Sequence, residues 1–236
     1  FYKNHIQLTL DESVHLALKT IQESDDWNVE RKKRNTGSKA YNLFTYSFNK
    51  HPNWGKKYNQ VFHNTFSGNE TTIHGLRCEG PAKEKYADET NSKLIETGLL
   101  IRHKVPWLGY SPDGIVMNDK LESAILFELK SPKEGERMDA NDFIAIHAVK
   151  SFDAHGKLRK KCTHYGQIQL GMLLLGLDYT DYVNYSSFGH NYIYERVSFD
   201  FDFVLNMIEI LCSVYFDEML PRIMKDFNDA NNNNNI

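Results

Sequence analysis

Two short segments in the middle of the chain hold acidic and basic side chains at spacings that suit catalysis. The first is Ser-Pro-Asp113-Gly, and the second is Glu128-Leu129-Lys130. On a β-strand, residues two apart point to the same face, so Glu128 and Lys130 project together while Leu129 points into the core. If the two segments pair as a hairpin, Asp113 lies beside Glu128. The pattern therefore predicts two carboxylates and one ammonium group at one place.

Such a group of side chains suits metal-assisted hydrolysis of a phosphodiester. Two carboxylates and a backbone carbonyl are the oxygen ligands that Mg²⁺ prefers. The metal would polarise the phosphate and lower the pKa of a bound water, and Lys130 would orient that water or stabilise the developing charge. The alternative is purely structural, because an Asp-Gly turn and an exposed Glu-x-Lys strand are common and motif matches carry false positives.

The elements around these segments indicate an α/β or α+β fold. Residues 113–117 and 125–130 have the pattern of two strands, separated by a polar turn at 118–120. Apolar residues recur at helical spacing on both sides of this pair. The predicted helices span residues 11–23, 40–48, 71–90, 164–177 and 203–227, and two later strands span 181–186 and 192–197. This order predicts a central mixed β-sheet flanked by helices.

Particular residues are expected to define the ends of these elements. Asp11 is the expected N-cap of the first helix, and Ser38 is expected to start the second one, after a basic loop at residues 31–39. Pro81 is expected to start or kink a helix. These positions determine where the side chains on each helix point.

Length and composition indicate a globular chain of 236 residues with 41% hydrophobic and 25% charged residues. Segment 228–236 is rich in Asn and has no apolar periodicity, so we predict one domain over residues 1–227 and a disordered tail. No apolar run approaches the roughly 18–20 residues of a membrane span. No basic stretch precedes an apolar core at the beginning, so no signal peptide is visible, and we expect no membrane association.

The cysteines and histidines predict neither a disulfide scaffold nor a zinc site. The three cysteines lie far apart without a CxxC pair, and the histidines are scattered without an HExxH pattern. We therefore expect a reducing intracellular compartment, namely the nucleus or cytoplasm of an infected or host cell. Because no P-loop or dinucleotide fingerprint is present, neither ATP nor NAD is implied.

A basic insert separates the Glu-x-Lys strand from the helix at 164–177. Its cations are Lys150, Lys157, Arg159, Lys160 and Lys161, in a chain of net charge −3. A local run of this kind can bind a phosphate backbone even within an acidic protein. A mobile surface loop is an equal alternative.

Five motifs in one order give the chain a family resemblance. They are Trp27-x-x-x-Arg31 followed by Thr36-Gly-Ser38, Gly75-x-x-x-Glu79-x-x-Ala82, Ser-Pro-Asp113-Gly, Glu128-Leu-Lys130-Ser-Pro, and Tyr165-Gly-Gln167-Ile-Gln169-Leu. From about residue 27 to residue 185 the chain resembles the YqaJ-type viral recombinase nucleases, the family of phage lambda exonuclease within the PD-(D/E)xK superfamily. The resemblance implies the restriction-endonuclease-like fold.

The resemblance also implies roles for the residues at the hairpin. Asp113 and Glu128, with the Leu129 carbonyl, would bind the catalytic metal. Lys130 would serve the nucleophilic water. Gln167 would hold the geometry of the site or touch the scissile phosphate.

Three further residues take roles from the same resemblance. Glu79 would complete the carboxylate cluster directly or through water, and a kink at Pro81, two residues later, would move it. Arg31 and Ser38 match the positions that grip a 5′-terminal phosphate. Without the family resemblance, Arg31 fits a solvated basic turn better than a phosphate site, and Ser38 fits an ordinary N-cap better. The sequence also departs from the family in lacking an acidic residue at 99–110.

The activity implied is that of an Mg²⁺-dependent nuclease, with Mn²⁺ as a substitute, that degrades duplex DNA from an end in the 5′-to-3′ direction for recombination or repair. The family also implies a ring of three subunits and a single-strand-annealing partner protein. The nearest alternatives are an endonuclease and a single-strand-preferring exonuclease. From other classes, the alternatives are a non-catalytic DNA-end-binding module and a structural protein of a virus or mobile element.

Overall fold

In the computed structural model, the predicted hairpin belongs to a five-stranded mixed sheet. The structure describes residues 1–21, 24–63, 68–117, 124–147, 151–153 and 155–233. The chain divides into two compact units, of which the first consists of Phe1–Thr65, Gly98–Ser111 and Asp200–Ile236, and the second of Phe66–Thr97 and Pro112–Phe199. The single domain at residues 1–227 stays a prediction.

Helices and short strands alternate along the chain. The helices are α1 (Tyr2–His5), α2 (Leu10–Lys19), α3 (Asp25–Lys32), α4 (Gly37–Tyr46), α5 (Trp54–Phe62), α6 (Glu70–Thr90), α7 (Ala140–His147), α8 (Thr163–Leu175), α9 (Phe201–Ser213) and α10 (Leu220–Asn233). The strands are β1 (Asn35–Thr36), β2 (Lys93–Ile95), β3 (Leu108–Gly109), β4 (Gly114–Met117), β5 (Ala124–Lys130), β6 (Tyr179–Ser186) and β7 (Asn191–Ser198). A 3₁₀ turn spans Lys133–Glu136, and a π-helical turn at Val214–Met219 joins α9 to α10.

The sheet of the second unit has the strand order β2-β4-β5-β6-β7. β5 pairs antiparallel with β4 and parallel with β6, and β6 pairs antiparallel with β7. α7 and α8 lie in the long connection that two parallel strands require. The predicted α/β fold with a central mixed sheet is confirmed. The turn predicted at 118–120 lies outside the described residues.

A hydrophobic core attaches α6 to the sheet. The buried cluster consists of Cys78, Ala82 and Tyr86 from α6 with Val116, Phe127, Leu129, Val183 and Tyr185 from the strands. Complete burial of one large apolar side chain contributes about 1.5–3 kcal/mol. Leu129 therefore anchors the strand that carries Glu128 and Lys130, as the alternation of that strand predicts.

The helix predicted at 71–90 extends over Glu70–Thr90 and is capped by Asn69, whose side chain accepts the Thr72 N–H. Pro81 lies inside this helix, so the expectation that Pro81 starts a helix is wrong. A proline removes one intrahelical hydrogen bond, and the contacts of Cys78, Ala82 and Tyr86 with the sheet hold the helix on both sides of it.

Two expectations about helix ends in the first unit are also corrected. α2 is capped by Thr9 and not by Asp11, because the Thr9 hydroxyl accepts the Glu12 N–H while the Glu12 carboxylate accepts the Thr9 N–H. α4 begins at Gly37, so Ser38 lies within its first turn and does not precede it. Arg31 belongs to α3, which ends at Lys32. Most of the residues predicted as a basic loop at 31–39 therefore lie in helices or in β1.

Arg34 is the largest departure from that predicted loop. Its side chain is 0% exposed. Its Nε donates to the Pro106 carbonyl at 2.8 Å, and its Nη2 donates to the Ile6 carbonyl at 2.9 Å. Its Nη1 contacts both the carbonyl and the carboxylate of Glu30. A residue expected to be solvated therefore cross-links three segments of the first unit.

The last helix, α10, extends into the Asn-rich segment. α10 ends at Asn233, so residues 228–233 are helical where the sequence predicts disorder, and the later residues are not described. No helix among the described residues is long and apolar enough to cross a membrane.

Candidate active site

The hairpin brings Asp113 to the strand that carries Glu128 and Lys130. β4 begins at Gly114, which pairs with Phe127, so Asp113 immediately precedes the first paired residue. Its Oδ2 accepts the backbone N–H of Leu129 at 2.7 Å. The arrangement that the sequence predicts for a paired hairpin is therefore present.

Two side chains donate hydrogen bonds to the Glu128 carboxylate, which is 1% exposed. Lys130 Nζ donates to Oε1, and Gln167 Nε2 donates to the same oxygen at 2.7 Å. Gln167 lies on α8, which packs against β5. The structure thus brings together Asp113, Glu128, Lys130 and Gln167 from three elements.

Burial and neighbouring charges shift the pKa values of Asp113 and Lys130. Burial, followed by the negative charge of Glu128, raises the pKa of Asp113 to about 7. Burial also disfavours the charged form of Lys130, but the carboxylates of Glu128 and Asp113 outweigh it and raise the pKa of Lys130 above its ordinary value. Lys130 is therefore a cation at neutral pH and acts as a donor to the Glu128 carboxylate.

The donor set fits a hard divalent cation. Asp113, Leu129 and Lys130 line a cleft of about 430 Å³. Among the described residues, no group of three or more His, Cys, Asp and Glu side chains is arranged to hold a metal. Mg²⁺ is commonly bound through one or two carboxylates, with waters and substrate phosphates as the other ligands. Asp113, Glu128 and the Leu129 carbonyl can supply that smaller set.

Glu79 lies on the wall of the same cleft, but its carboxylate has another partner. Its Oε1 lies 2.5 Å from Lys83 Nζ, which also donates to Glu96 at 2.7 Å. The charge of Glu79 contributes to the raised pKa of Asp113. Its role as a metal ligand stays a prediction.

Replacing Asp113 by asparagine is expected to stabilise the metal-free protein at pH 8. The ionised form of Asp113 is disfavoured in the folded state, so wild-type stability falls as the pH rises from about 4 to about 7. Asparagine keeps an acceptor for the Leu129 N–H and does not titrate. The expected gain is roughly 2–4 kcal/mol at pH 8 and near zero at pH 4, measured by thermal unfolding in EDTA. A gain of equal size at both pH values would contradict this explanation.

A second cluster, in the first unit, surrounds Arg31. Its Nη2 donates to the Ser38 hydroxyl at 3.2 Å, and its Nη1 donates to the Ser111 hydroxyl at 3.4 Å. The Arg31 guanidinium lies 4.0 Å from the centre of the Trp27 ring, and Trp27 Nε1 donates to Ser111 at 2.9 Å. We call Arg31, Ser38 and Ser111 the arginine cluster.

Sequence reasoning did not assign a role to Ser111 or Lys39. Ser111 begins the Ser-Pro-Asp113-Gly motif. Its place two residues before Asp113 is the feature of the sequence that indicates a functional role. Lys39 Nζ donates to the Arg31 carbonyl at 2.6 Å and lies 4.2 Å from the centre of the Phe62 ring. Burial, and then the charges of Arg31 and Lys32, lower the pKa of Lys39 to about 7. Lys39 thus fixes the end of the helix that carries Arg31.

The basic insert is attached to β7 through Glu195 and is also held by an internal hydrogen bond. The Leu158 N–H donates to the Glu195 carboxylate at 2.7 Å, and Arg159 Nε donates to the Phe152 carbonyl at 2.5 Å. Lys157 Nζ lies 3.8 Å from Glu195, whereas Lys150 lies outside the described residues. The role of these cations as a backbone track stays a prediction.

Comparison with solved structures shows the fold. An alkaline exonuclease from Laribacter hongkongensis superposes with a TM-score of 0.63 and 21% identity, covering 89% of this chain and 99% of that chain. The shutoff and exonuclease protein of Kaposi's sarcoma-associated herpesvirus superposes with a TM-score of 0.51 and 12% identity, covering 92% and 75%. A SOX–DNA complex gives a TM-score of 0.56 and 10% identity, covering 92% and 74%. The chain therefore has the restriction-endonuclease-like fold of these proteins.

Comparison of sequences shows the family. No protein of curated function matches this chain. The profile of the YqaJ-like viral recombinase domain matches residues 26–145, which is just over half of the chain. This range contains every candidate residue named above for the metal site and the arginine cluster except Gln167. The chain belongs to the YqaJ-like viral recombinase family.

Proposed function

We propose that this chain is a divalent-cation-dependent nuclease that hydrolyses duplex DNA from an end, in the 5′-to-3′ direction, during recombination or repair. The observation that carries the proposal is the position of Asp113 beside Glu128 and Lys130 on a paired hairpin, with Gln167 donating to Glu128. Membership of the YqaJ-like family and the fold shared with the Laribacter alkaline exonuclease support it.

Each residue of the site has its own role in the proposed reaction. Asp113, Glu128 and the Leu129 carbonyl would hold Mg²⁺ or Mn²⁺, and a bound ion of this kind polarises the phosphate and lowers the pKa of water. Lys130 carries a fixed positive charge next to these carboxylates, where it orients the attacking water or stabilises charge in the transition state. Gln167 holds the Glu128 carboxylate in position.

The arginine cluster supports action at an end. A guanidinium offers two parallel donors that match a phosphate, and neighbouring hydroxyl groups add further hydrogen bonds. Arg31 lies between the hydroxyls of Ser38 and Ser111, so the cluster suits a terminal phosphate with its extra negative charge. A site that holds a 5′-phosphate favours cleavage that begins at that end.

The proposal is tested with three DNA substrates in Mg²⁺ or EDTA. These substrates are a linear duplex with 5′-phosphates, the same duplex with 5′-hydroxyls, and a closed circular plasmid. We expect Mg²⁺-dependent loss of the linear duplexes, faster with 5′-phosphates, while the circle survives. When one strand of the duplex carries a label, the identity of the strand that remains would establish the direction of cleavage.

The other outcomes separate the alternatives. Cutting of the closed circle would identify an endonuclease of the same fold. Binding of duplex ends without cleavage of any substrate in Mg²⁺ or Mn²⁺ would reject the enzyme and favour an end-binding module.

Replacing Arg31 by methionine is expected to remove the preference for 5′-phosphates. The guanidinium contributes charge-assisted hydrogen bonds worth about 1.5–3 kcal/mol, so the rate on phosphorylated ends should fall roughly tenfold or more. The rate on 5′-hydroxyl ends should change little. The measurement is the ratio of single-turnover rates on the two ends, with Lys32→Met, an exposed neighbour, as the matched control. An equal loss on both ends would show that Arg31 is structural.

A further inference from the structure

Two parts of the fold line the cleft that contains Asp113. The hairpin and the residues after it contribute Asp113, Leu129, Lys130 and Ser131, and α6 contributes Thr72, Gly75, Leu76 and Glu79. The volume of the cleft, about 430 Å³, falls within the range of about 300–1,000 Å³ that is common for ligand pockets. A ligand in this cleft therefore contacts α6 as well as the hairpin.

Gly75 leaves a gap in the part of the lining that α6 contributes. Among the described residues, a Cβ added at Gly75 would meet no heavy atom within 4 Å beyond its chain neighbours and the nearby backbone of its own helix. Its backbone is helical, so neither a left-handed φ nor crowding by those residues requires glycine there. Alanine forms helices better, because glycine loses more conformational freedom on folding. The packing of the described chain therefore gives no reason for this glycine.

A second glycine of the same helix, Gly80, does have a reason within the chain. It precedes Pro81, and the Cδ atom of a proline disfavours the helical conformation of a preceding residue that carries a Cβ. Gly80 is exposed and does not belong to the described lining of the cleft. Gly75 has no proline after it and lies at the cleft, so the ligand of the cleft can explain its missing side chain.

The neighbours of Gly75 hold α6 in place. His74 is 4% exposed, and its Nδ1 lies 3.0 Å from the Glu136 carboxylate in the 3₁₀ turn that follows β5. Cys78 packs in the core that joins α6 to the sheet. Because these contacts leave α6 little freedom to move, a side chain added at Gly75 would take space from the ligand.

The lining next to Gly75 suits a strand of nucleic acid. Leu76 is 61% exposed, and its apolar surface can contact the carbon atoms of a sugar. Glu79 lies 2.5 Å from Lys83 Nζ, which offsets its negative charge. Glycine commonly stands where a protein backbone closely approaches a ligand, so the gap at Gly75 permits a strand to lie directly on the helix.

We propose that Gly75 is a contact residue for the substrate. The sugar–phosphate backbone of the strand being cut lies against the bare backbone of α6 at Gly75, with its scissile phosphate at Asp113, Glu128 and Lys130. The inference rests on the proposed nuclease function and adds a residue to it. The contact fixes the distance between the strand and the carboxylates, and it does not depend on the base sequence because Gly75 has no side chain that could read a base.

Replacing Gly75 by alanine is expected to stabilise the protein and to slow cleavage. The added methyl group has free space without DNA, so the midpoint of thermal unfolding should rise by about 1–4 °C. With DNA bound, the methyl group displaces the strand, and a misplacement of about 1 Å can cost about 10²-fold in rate. We therefore expect single-turnover cleavage of 5′-phosphorylated duplex in Mg²⁺ to fall roughly 10–100-fold. Gly75→Leu, which also forms helices well, should cleave more slowly still.

Two further measurements isolate the contact. Gly55→Ala makes the same change in α5, where the added Cβ would meet Asn53 Oδ1 at an ordinary distance of 3.7 Å. This matched control should cleave within about twofold of wild type. Binding of labelled duplex, followed by fluorescence anisotropy in EDTA, does not depend on the chemical step. Gly75→Leu should bind the duplex about fivefold or more weakly, because a side chain forced into occupied space commonly costs at least that much.

The outcomes separate this inference from the proposed function. Slower cleavage by a Gly75→Ala protein that is at least as stable as wild type supports the contact. Unchanged cleavage by both Gly75 variants overturns it, and so does a lower unfolding midpoint of Gly75→Ala, since a structural role would then explain the loss. If wild type cleaves no DNA, the nuclease is rejected and binding decides the contact: weaker binding by Gly75→Leu supports it, and equal binding overturns it.

Discussion

Replacement of Lys130 by alanine is expected to lower the rate of Mg²⁺-dependent cleavage of linear duplex DNA about 10²–10⁴-fold. The ammonium group donates to Glu128 Oε1, and the neighbouring carboxylates raise its pKa, so it is charged over the working pH range. A cation already in place when charge develops on the phosphate stabilises the transition state without reorganisation. Single-turnover cleavage of 5′-phosphorylated duplex measures the effect.

The Lys130→Ala variant also removes one partner of a buried carboxylate, so its stability needs a separate test. Lys130→Gln keeps a hydrogen-bond donor but no charge, and we expect it to cleave as slowly as the alanine variant while unfolding closer to wild type. Lys93→Ala, at an exposed position on β2, is the matched control. Cleavage by the glutamine variant within about threefold of wild type would show that the charge of Lys130 does not contribute.

The largest effect on stability is expected for Arg34→Met. Arg34 is fully buried, and its guanidinium donates to the carbonyls of Ile6, Glu30 and Pro106. Methionine fills part of the volume but removes the donor to the Ile6 and Pro106 carbonyls and the Arg34 cation at the Glu30 carboxylate, which keeps its hydrogen bond from Lys33. Removing one partner of such a buried group commonly costs about 3–5 kcal/mol. For a chain of this length that corresponds to a fall of roughly 10 °C in the midpoint of thermal unfolding.

Two further variants isolate the cause of this loss. Arg34→Lys keeps the charge but cannot reach all three carbonyls, so we expect an intermediate loss. Lys32→Met changes an exposed cation two residues away, and its effect should stay within about 0.5 kcal/mol. If Arg34→Met unfolds within about 2 °C of wild type by circular dichroism, the buried contacts of Arg34 contribute little to stability.

Much of the second unit could be predicted from sequence because its signals are local. The strand-like segments at 113–117 and 125–130, with the polar turn at 118–120 between them, predict the hairpin, and strand geometry alone puts Glu128 and Lys130 on one face. The structure has these strands at Gly114–Met117 and Ala124–Lys130. The helical period at 164–177 likewise predicts α8. Residues that are close in sequence, or joined by one turn, have few alternative arrangements.

Helix ends could be predicted less well, because several neighbouring residues compete for each cap. Asp11 and Thr9 are both good N-caps, and the Glu12 carboxylate decides between them by returning a hydrogen bond to the Thr9 backbone. Pro81 does not start a helix, because buried contacts of α6 with the sheet hold it inside one. Tertiary packing outweighs local preference at such positions.

The sequence by itself determined the mixed α/β character, through the order of its predicted elements, and the hairpin that puts Asp113 next to the strand of Glu128, since that hairpin follows from strand periodicity and a single turn. The tertiary structure alone decided the environment of Arg34, whose acceptors Ile6 and Pro106 are 28 and 72 residues away along the chain. It also decided that aromatic side chains from β6 and the insert meet beside Lys130. Contacts of this kind depend on which distant segments pack together, and no local spacing records that choice.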